Sequence, residues 1–287
     1  MKRLLFVCVL ACYSVLIVPF GAYQHKRQHS EGIGYIPNAD VLRLGCGDQT
    51  LFVGAWLIGN AVSYYGGITI RGKCSQKVSP DYDGMLDMLR AGLSLDPYNM
   101  DGYYFAQATL VWDAGLIEEA NMLLAAGMKY RYWDFYLPYF IGFNNAYFLK
   151  NYQQAAEYYR HVAELTGDSL SMRLTGRYLY EAGRTNLAIS YLSAMVQGTR
   201  NEAIKKSLLI RLKAFMAVRD IEKAYRRYVA AYPGSNPDIA KLVRQGFLSS
   251  VPSDPYGGEF FIDESGRVRS TSNFSFVHSK KHIKTQQ

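Results

Sequence analysis

Histidine–carboxylate pairs, thiols and glycine-rich turns are where this chain of 287 residues could do chemistry, and each is sparse. His161 and Glu164 lie one helical turn apart, a spacing that permits an acid–base or metal-ligating pair but serves more often as a surface pair. The other histidines, His25, His29, His278 and His282, sit in flanking segments. The chain has no H-E-x-x-H for zinc, no G-x-x-x-x-G-K-[ST] to cradle phosphates and no G-x-S-x-G nucleophile turn. Gly45, Gly47, Gly66 and Gly67 flank an apolar stretch and read as caps and turns. Cys8 and Cys12 lie in an apolar run, which leaves Cys46 and Cys74 as the pair for a disulfide in an oxidising compartment. They bracket a helix of about 18 residues, roughly 27 Å long, whereas a bond needs Cα atoms within about 7 Å. Residues 66–73 would have to fold back along that helix to bring them together. These residue types predict no catalytic site, no metal, no cofactor and no small-molecule substrate.

The net charge of +8 raises the question of nucleic acid. The cations are spread, with Lys205, Lys206, Arg211 and Lys213 followed by Lys223, Arg226 and Arg227, then Lys280, Lys281 and Lys284 in the tail, and no nucleic-acid module accompanies them. A composition of 49% hydrophobic and 20% charged residues is that of a globular chain. Nucleic acid is therefore not an expected partner.

The elements that must position any site begin with residues 1–23. Lys2 and Arg3 precede an uncharged run over residues 4–20 that continues to Tyr23, about the length of a membrane-crossing helix. Phe20-Gly21-Ala22 puts a bulky residue where signal cleavage wants a small one. Lipidation would use Cys12 after Val9-Leu10-Ala11, but the apolar run continues past it. An uncleaved anchor with a cytoplasmic amino end is expected, although Lys26 and Arg27 on the far side compete with Lys2 and Arg3 in setting orientation. The chain after the anchor would then lie in a bacterial periplasm. Residues 24–47 read as a linker, and residues 51–65, too short for a second span and containing Asn60 and Ser63, as a buried helix.

Alanines at 120, 155, 188 and 224 recur at spacings of 35, 33 and 36, each followed four residues on by a bulky side chain. A period near 34 marks a helical-hairpin array. The unit Gly176, Leu179, Gly183, Ala188, Leu192, Met195 resembles the tetratricopeptide (TPR) pattern. The unit around Ala120 keeps Ala108, Val111, Gly115, Leu124 and Gly127; that around Ala155 keeps Gly142 one place early, Ala146, Tyr159 and Val162. The unit around Ala224 keeps Phe215, Tyr228 and Ala231 but has Leu212 and Arg219 where small residues are usual. Residues 48–65 and the segment holding Leu89 and Gly92 look like a further pair. The expected fold is all-α, a TPR-like solenoid over residues 48–250.

The resemblance implies a concave face that takes extended peptides or partner helices. Carried onto this chain, its recognition places are Phe105, Thr109 and Trp112, then Phe140, Asn144 and Tyr147, then Arg173, Arg177 and Tyr180, then Lys206, Lys213 and Met216. The groove would be aromatic at one end and basic at the other, suited to an acidic segment or a terminal carboxylate. It resembles the carboxylate-clamping TPR domains only loosely, since their asparagine and lysine set is not reproduced in one pair of repeats. Alternatively Phe105, Trp112 and Phe140 are inter-repeat core and the cations solvated.

After Pro252 the composition changes. Residues 259–263 and 267–271 flank Asp263-Glu264-Ser265-Gly266 and predict a β-hairpin within residues 251–272, with Phe260 and Phe261 packed on the last repeat or on another chain. Asp254-Pro255-Tyr256-Gly257-Gly258 followed by Phe260-Phe261 resembles the C-terminal end of bacterial type II secretion pseudopilins. Residues 273–287 read as a disordered basic tail. Together these features predict a non-enzymatic protein-interaction scaffold of the bacterial envelope, with an assembly or accessory role for a pilus, secretion or polysaccharide export system as the specific expectation. A permanent subunit of an envelope complex and an accessory to a separate enzyme are the alternatives.

Overall fold

The computed structural model describes residues 32–72 and 79–276. The anchor expected at residues 1–23, Cys74 with its candidate bridge, and residues 277–287 lie outside the described residues. The described residues are mostly helical with one small antiparallel sheet, and the chain divides into two compact units, Met1–Glu119 and Ala120–Gln287.

In the first unit, α1 (Ala39–Cys46) leads through a 3-10 turn into α2 (Thr50–Gly72), followed by α3 (Tyr82–Leu95) and α4 (Met100–Ala106). The expected linker is thus helical from Ala39. Its cap is Asn38, whose side-chain oxygen accepts from the Asp40 N–H. Asp81 and Asn99 cap α3 and α4 in the same way, an arrangement worth about 1 kcal/mol per cap. Helices α2 and α3 pack through Gly54 and Gly92. A Cβ on Gly54 would lie 2.9 Å from the Gly92 carbonyl oxygen, so neither helix can carry a side chain there. The expectation of a buried helix over residues 51–65 holds for one face only: Leu57, Ile58 and Ala61 are buried, whereas Leu51, Phe52 and Trp56 face outward. Beyond α4 the chain continues as a π-helix, Gln107–Ala114. Wider turns rotate the register, so Ala108, expected at a helix contact, is exposed while Thr109 is buried.

The second unit holds most of α5 (Ile117–Met128), then α6 (Tyr136–Tyr147), α7 (Tyr152–Thr166), α8 (Ser169–Glu181), α9 (Thr185–Gly198), α10 (Glu202–Ala231) and α11 (Ile239–Arg244). Each helix from α6 to α10 packs on the next, and α10 also packs on α8. The phased alanines 120, 155, 188 and 224 are all fully buried. Tyr159 and Leu192, four residues after two of them, lie where a Cβ on Gly142 or Gly176 would come within 3.2 and 3.0 Å. Five residues before each of the first three alanines the backbone turns with positive φ, at Gly115 (73°), Lys150 (55°) and Gly183 (75°). Arg219 holds the same phase before Ala224, but α10 runs straight through it for 30 residues. The fourth unit therefore has no hairpin turn.

At the C-terminus β1 (Phe260–Ile262) pairs antiparallel with β2 (Val268–Ser270), Phe261 opposite Arg269. Phe260 joins the core of α10 and α11 while Phe261 stays exposed. The start of the expected disordered tail is ordered: Phe274 is buried, because its phenyl ring packs between Tyr180 and Phe215 at 5.1 and 5.0 Å.

Two substitutions test this packing. Ala188→Arg places a long cation where no space exists and is expected to lower stability by several kcal/mol, about 3 or more, read as a large drop in the urea midpoint. Lys150→Gly relieves a left-handed lysine and is expected to raise stability by roughly 0.5–1 kcal/mol; an unchanged or lowered midpoint would refute strain at that turn.

Candidate recognition cleft

Three of the predicted recognition residues, Thr109, Asn144 and Tyr180, are buried. In the first unit Phe105 is half-buried, edge-on to Tyr65 at 5.8 Å, and Thr109 is buried with its hydroxyl donating to the Phe105 carbonyl at 2.7 Å. Thr109 therefore faces no groove, since the π-helix turns it inward. Trp112 is 56% exposed, so it is surface and not inter-repeat core.

In the second unit Phe140 is half-buried and stacks on Tyr136 at 6.0 Å. Asn144 is fully buried and donates to the Asn121 side-chain oxygen at 2.8 Å, a helix-to-helix tie and not a surface contact. Lys206 and Lys213 are exposed on α10, as is Met216. Arg173 donates back to the Ser169 carbonyl of its own helix at 3.2 Å.

Tyr180 is buried, and the C-terminal segment is what buries it. Its hydroxyl donates to the Val268 carbonyl of β2, and burial pushes its pKa up to about 12, so it acts as a neutral donor. Nearby, the buried Arg211 guanidinium donates to the Tyr256 hydroxyl at 3.1 Å and to the Phe274 carbonyl at 2.6 Å. Burial lowers its pKa, with Arg173 and Arg177 close enough to add repulsion. Asp254, also buried, accepts from the Ser270 and Ser272 hydroxyls and from the Tyr256 N–H. Arg267 reaches back from the hairpin to the Glu181 carbonyl at 2.7 Å. The segment thus occupies the part of the helical face that Tyr180 was expected to offer to a partner.

What remains open is a cleft of about 300 Å³ bordered by α6, the Lys150 turn, α7, α8 and β2. It brings together Tyr147 and Arg177, both predicted, with Lys150, Tyr152, Tyr178 and Arg269, which the repeat phase did not single out. Tyr147 is 55% exposed, lies parallel to Phe143 at 5.4 Å and carries the Lys150 ammonium 5.3 Å from its ring centre. Arg177 is half-buried, and its Nε has no hydrogen-bond partner among the described residues. The one carboxylate of the lining, Glu181, is bound by Arg269 at 2.8 Å. Burial raises the Tyr178 pKa, so that ring too stays neutral. Arg269 is also paired with Asp263 at 3.2 Å, which leaves Lys150 and Arg177 beside several aromatic rings, a chemistry that accepts an anion beside a flat or apolar group. Lys150 could have been read from its place in the turn; Arg269 could not, because it arrives from outside the repeats.

Compared with protein-family models and with curated proteins, the chain matches none. Among the described residues no cluster of histidine, cysteine or acidic side chains has the makings of a metal site.

The hairpin that supplies Arg269 is itself charge-dependent. Asp263 is held down at about 2 by the Ser265 hydroxyl, by backbone N–H groups of Arg267 and Ser265 and by Arg269. A carboxylate whose folded pKa lies below its usual value near 3.9 contributes stability above that pH and loses it as pH falls toward 2. Amide exchange at Gly266 and Arg267 is expected to quicken between pH 4 and pH 2, and Asp263→Asn should abolish that step.

Proposed function

We propose that the chain is a TPR-like interaction scaffold tethered to the outer side of a bacterial inner membrane, and that its second unit holds an acidic, aromatic-bearing segment of a partner protein. The convergence of Tyr147, Lys150, Arg177 and Arg269 on one cleft, with a single and already paired acid among them, carries this reading. The buried alanines and the phased positive-φ turns support the repeat assignment. Tethering rests on residues 1–23. Among the described residues, Ala39–Ile70 is also long and apolar enough to span a membrane by length and composition.

A second reading, the permanent subunit of an envelope complex, draws on Tyr132 and Trp133, both largely exposed beside the buried Arg131–Asp134 ion pair. An assembly or accessory role for a pilus, secretion or polysaccharide export system fits either reading.

A photo-crosslinking amino acid at Tyr147, in native membranes, identifies the partner. The affinity of the purified partner is then expected to fall about tenfold or more for Arg177→Ala and for Tyr147→Ala, some 1.4 kcal/mol each, with the melting temperature nearly unchanged. The Arg177 effect should shrink as salt rises. Unchanged affinity in both variants would remove the cleft from the function and favour the permanent-subunit reading.

A further inference from the structure

We propose that the outward face of α2 rests on the lipid bilayer, so that the first unit is a second, monotopic membrane contact beside the anchor; this rests on the anchor reading above. No charged residue occurs between Asp48 and Arg71. On the side away from α3, Leu51, Phe52, Trp56, Val62 and Ile70 are exposed, Phe52 by 68% and Ile70 by 69%. At 100° per residue they fall within roughly a 140° arc of one helix. The face carries almost no polarity: the Thr69 hydroxyl donates to the Tyr65 carbonyl of its own helix at 2.8 Å, as hydroxyls in apolar surroundings do. A protein-binding patch is normally rimmed with polar groups, whereas an apolar stripe with aromatic residues suits the headgroup–acyl boundary.

The attachment of the chain gives the occupant. The Ile33 N–H donates to Asp81 Oδ2 at 3.0 Å, and the Asp81 N–H donates to the Tyr64 hydroxyl of α2 at 2.8 Å. Ten residue steps separate Ile33 from Tyr23, the end of the apolar run, so the described chain begins at most about 35 Å from the point where the anchor leaves the bilayer. Lys26 and Arg27 lie in that interval and suit an anionic lipid surface. The helix lies in the plane and does not cross. Its buried face packs tightly on α3, whose exposed Asp87 and Arg90, paired at 2.8 Å, would otherwise enter the hydrocarbon.

The full chain carrying Trp112→Phe and Trp133→Phe, in phosphatidylcholine–phosphatidylglycerol vesicles, leaves Trp56 as the only tryptophan. Trp56 emission is expected to shift to the blue, to lose most of its intensity to lipids spin-labelled near the headgroup, and to resist acrylamide. Adding Phe52→Glu and Val62→Glu, both at exposed positions, should restore the emission. Emission open to acrylamide and indifferent to the labelled lipids, in a chain that survives a carbonate wash, overturns the proposal while the anchor stands. Emission shielded from both quenchers also overturns it, in favour of a helix seated on the small residues Ala55, Gly59 and Ser63 of the same face. Release of the chain by carbonate, with Trp56 quenched before the wash, overturns the anchor and leaves the α2 contact standing.

Discussion

Helix packing in this protein depends on small residues placed where two backbones meet. Gly54 and Gly92 bring α2 and α3 so close that a single methyl would meet a carbonyl oxygen, and the fully buried alanines at 155 and 188 do comparable work within the second unit. Each close approach lets a large neighbour, Ile58, Tyr159 or Leu192, fill the space beside it, so that apolar area is buried at high packing density without overpacking. Because helix follows helix in sequence, most of these contacts are local. The exception is the C-terminal segment, which returns to α8 across some ninety residues and is held by hydrogen bonds to buried groups.

That division explains how far the sequence could be read. The alanine phase, the helical class and the hairpin at residues 259–271 were legible, because each follows from a local rule: a buried small residue, a period, a positive-φ turn. Three features were not. The π-helix at Gln107–Ala114 has no composition signal, and it turned Thr109 inward and Ala108 outward. Arg219 was visible as an anomaly, but its meaning, a 30-residue helix with no turn, depends on packing along α10. The linker reading failed at Asn38, whose capping geometry starts α1 in a stretch without strong periodicity.

Of the residues expected on a recognition face, some line the open cleft and others are covered, and what covers Tyr180 is a long-range contact. Position within the repeat selected Tyr147 and Arg177, which line an open cleft, and it selected Tyr180 by the same rule. Nothing local to Tyr180 reveals that Val268 and Phe274 cover it, since those residues pair with it only after the hairpin has formed and docked. Asn144 shows the complementary failure: an asparagine on a presumed groove face is here a buried tie to Asn121. A polar residue at a repeat position is therefore ambiguous until its partner is known, whereas an exposed tyrosine beside a lysine is much less so.

The C-terminal segment also accounts for the charge of the cleft. Arg211 is clamped by a carbonyl and a phenol instead of a carboxylate, so its positive charge is hydrogen-bonded but not cancelled. Arg173 and Arg177 lie near enough to feel it, and Glu181, the carboxylate of the cleft lining, is already engaged by Arg269. Arg269 is compensated by Glu181 and Asp263, so the positive charge offered to an arriving anion is that of Lys150 and Arg177. The docking of the hairpin thus closes one end of the helical face and leaves a positive field at the other, which is why the surviving cleft, and not the full repeat surface, is where an acidic partner is expected to sit.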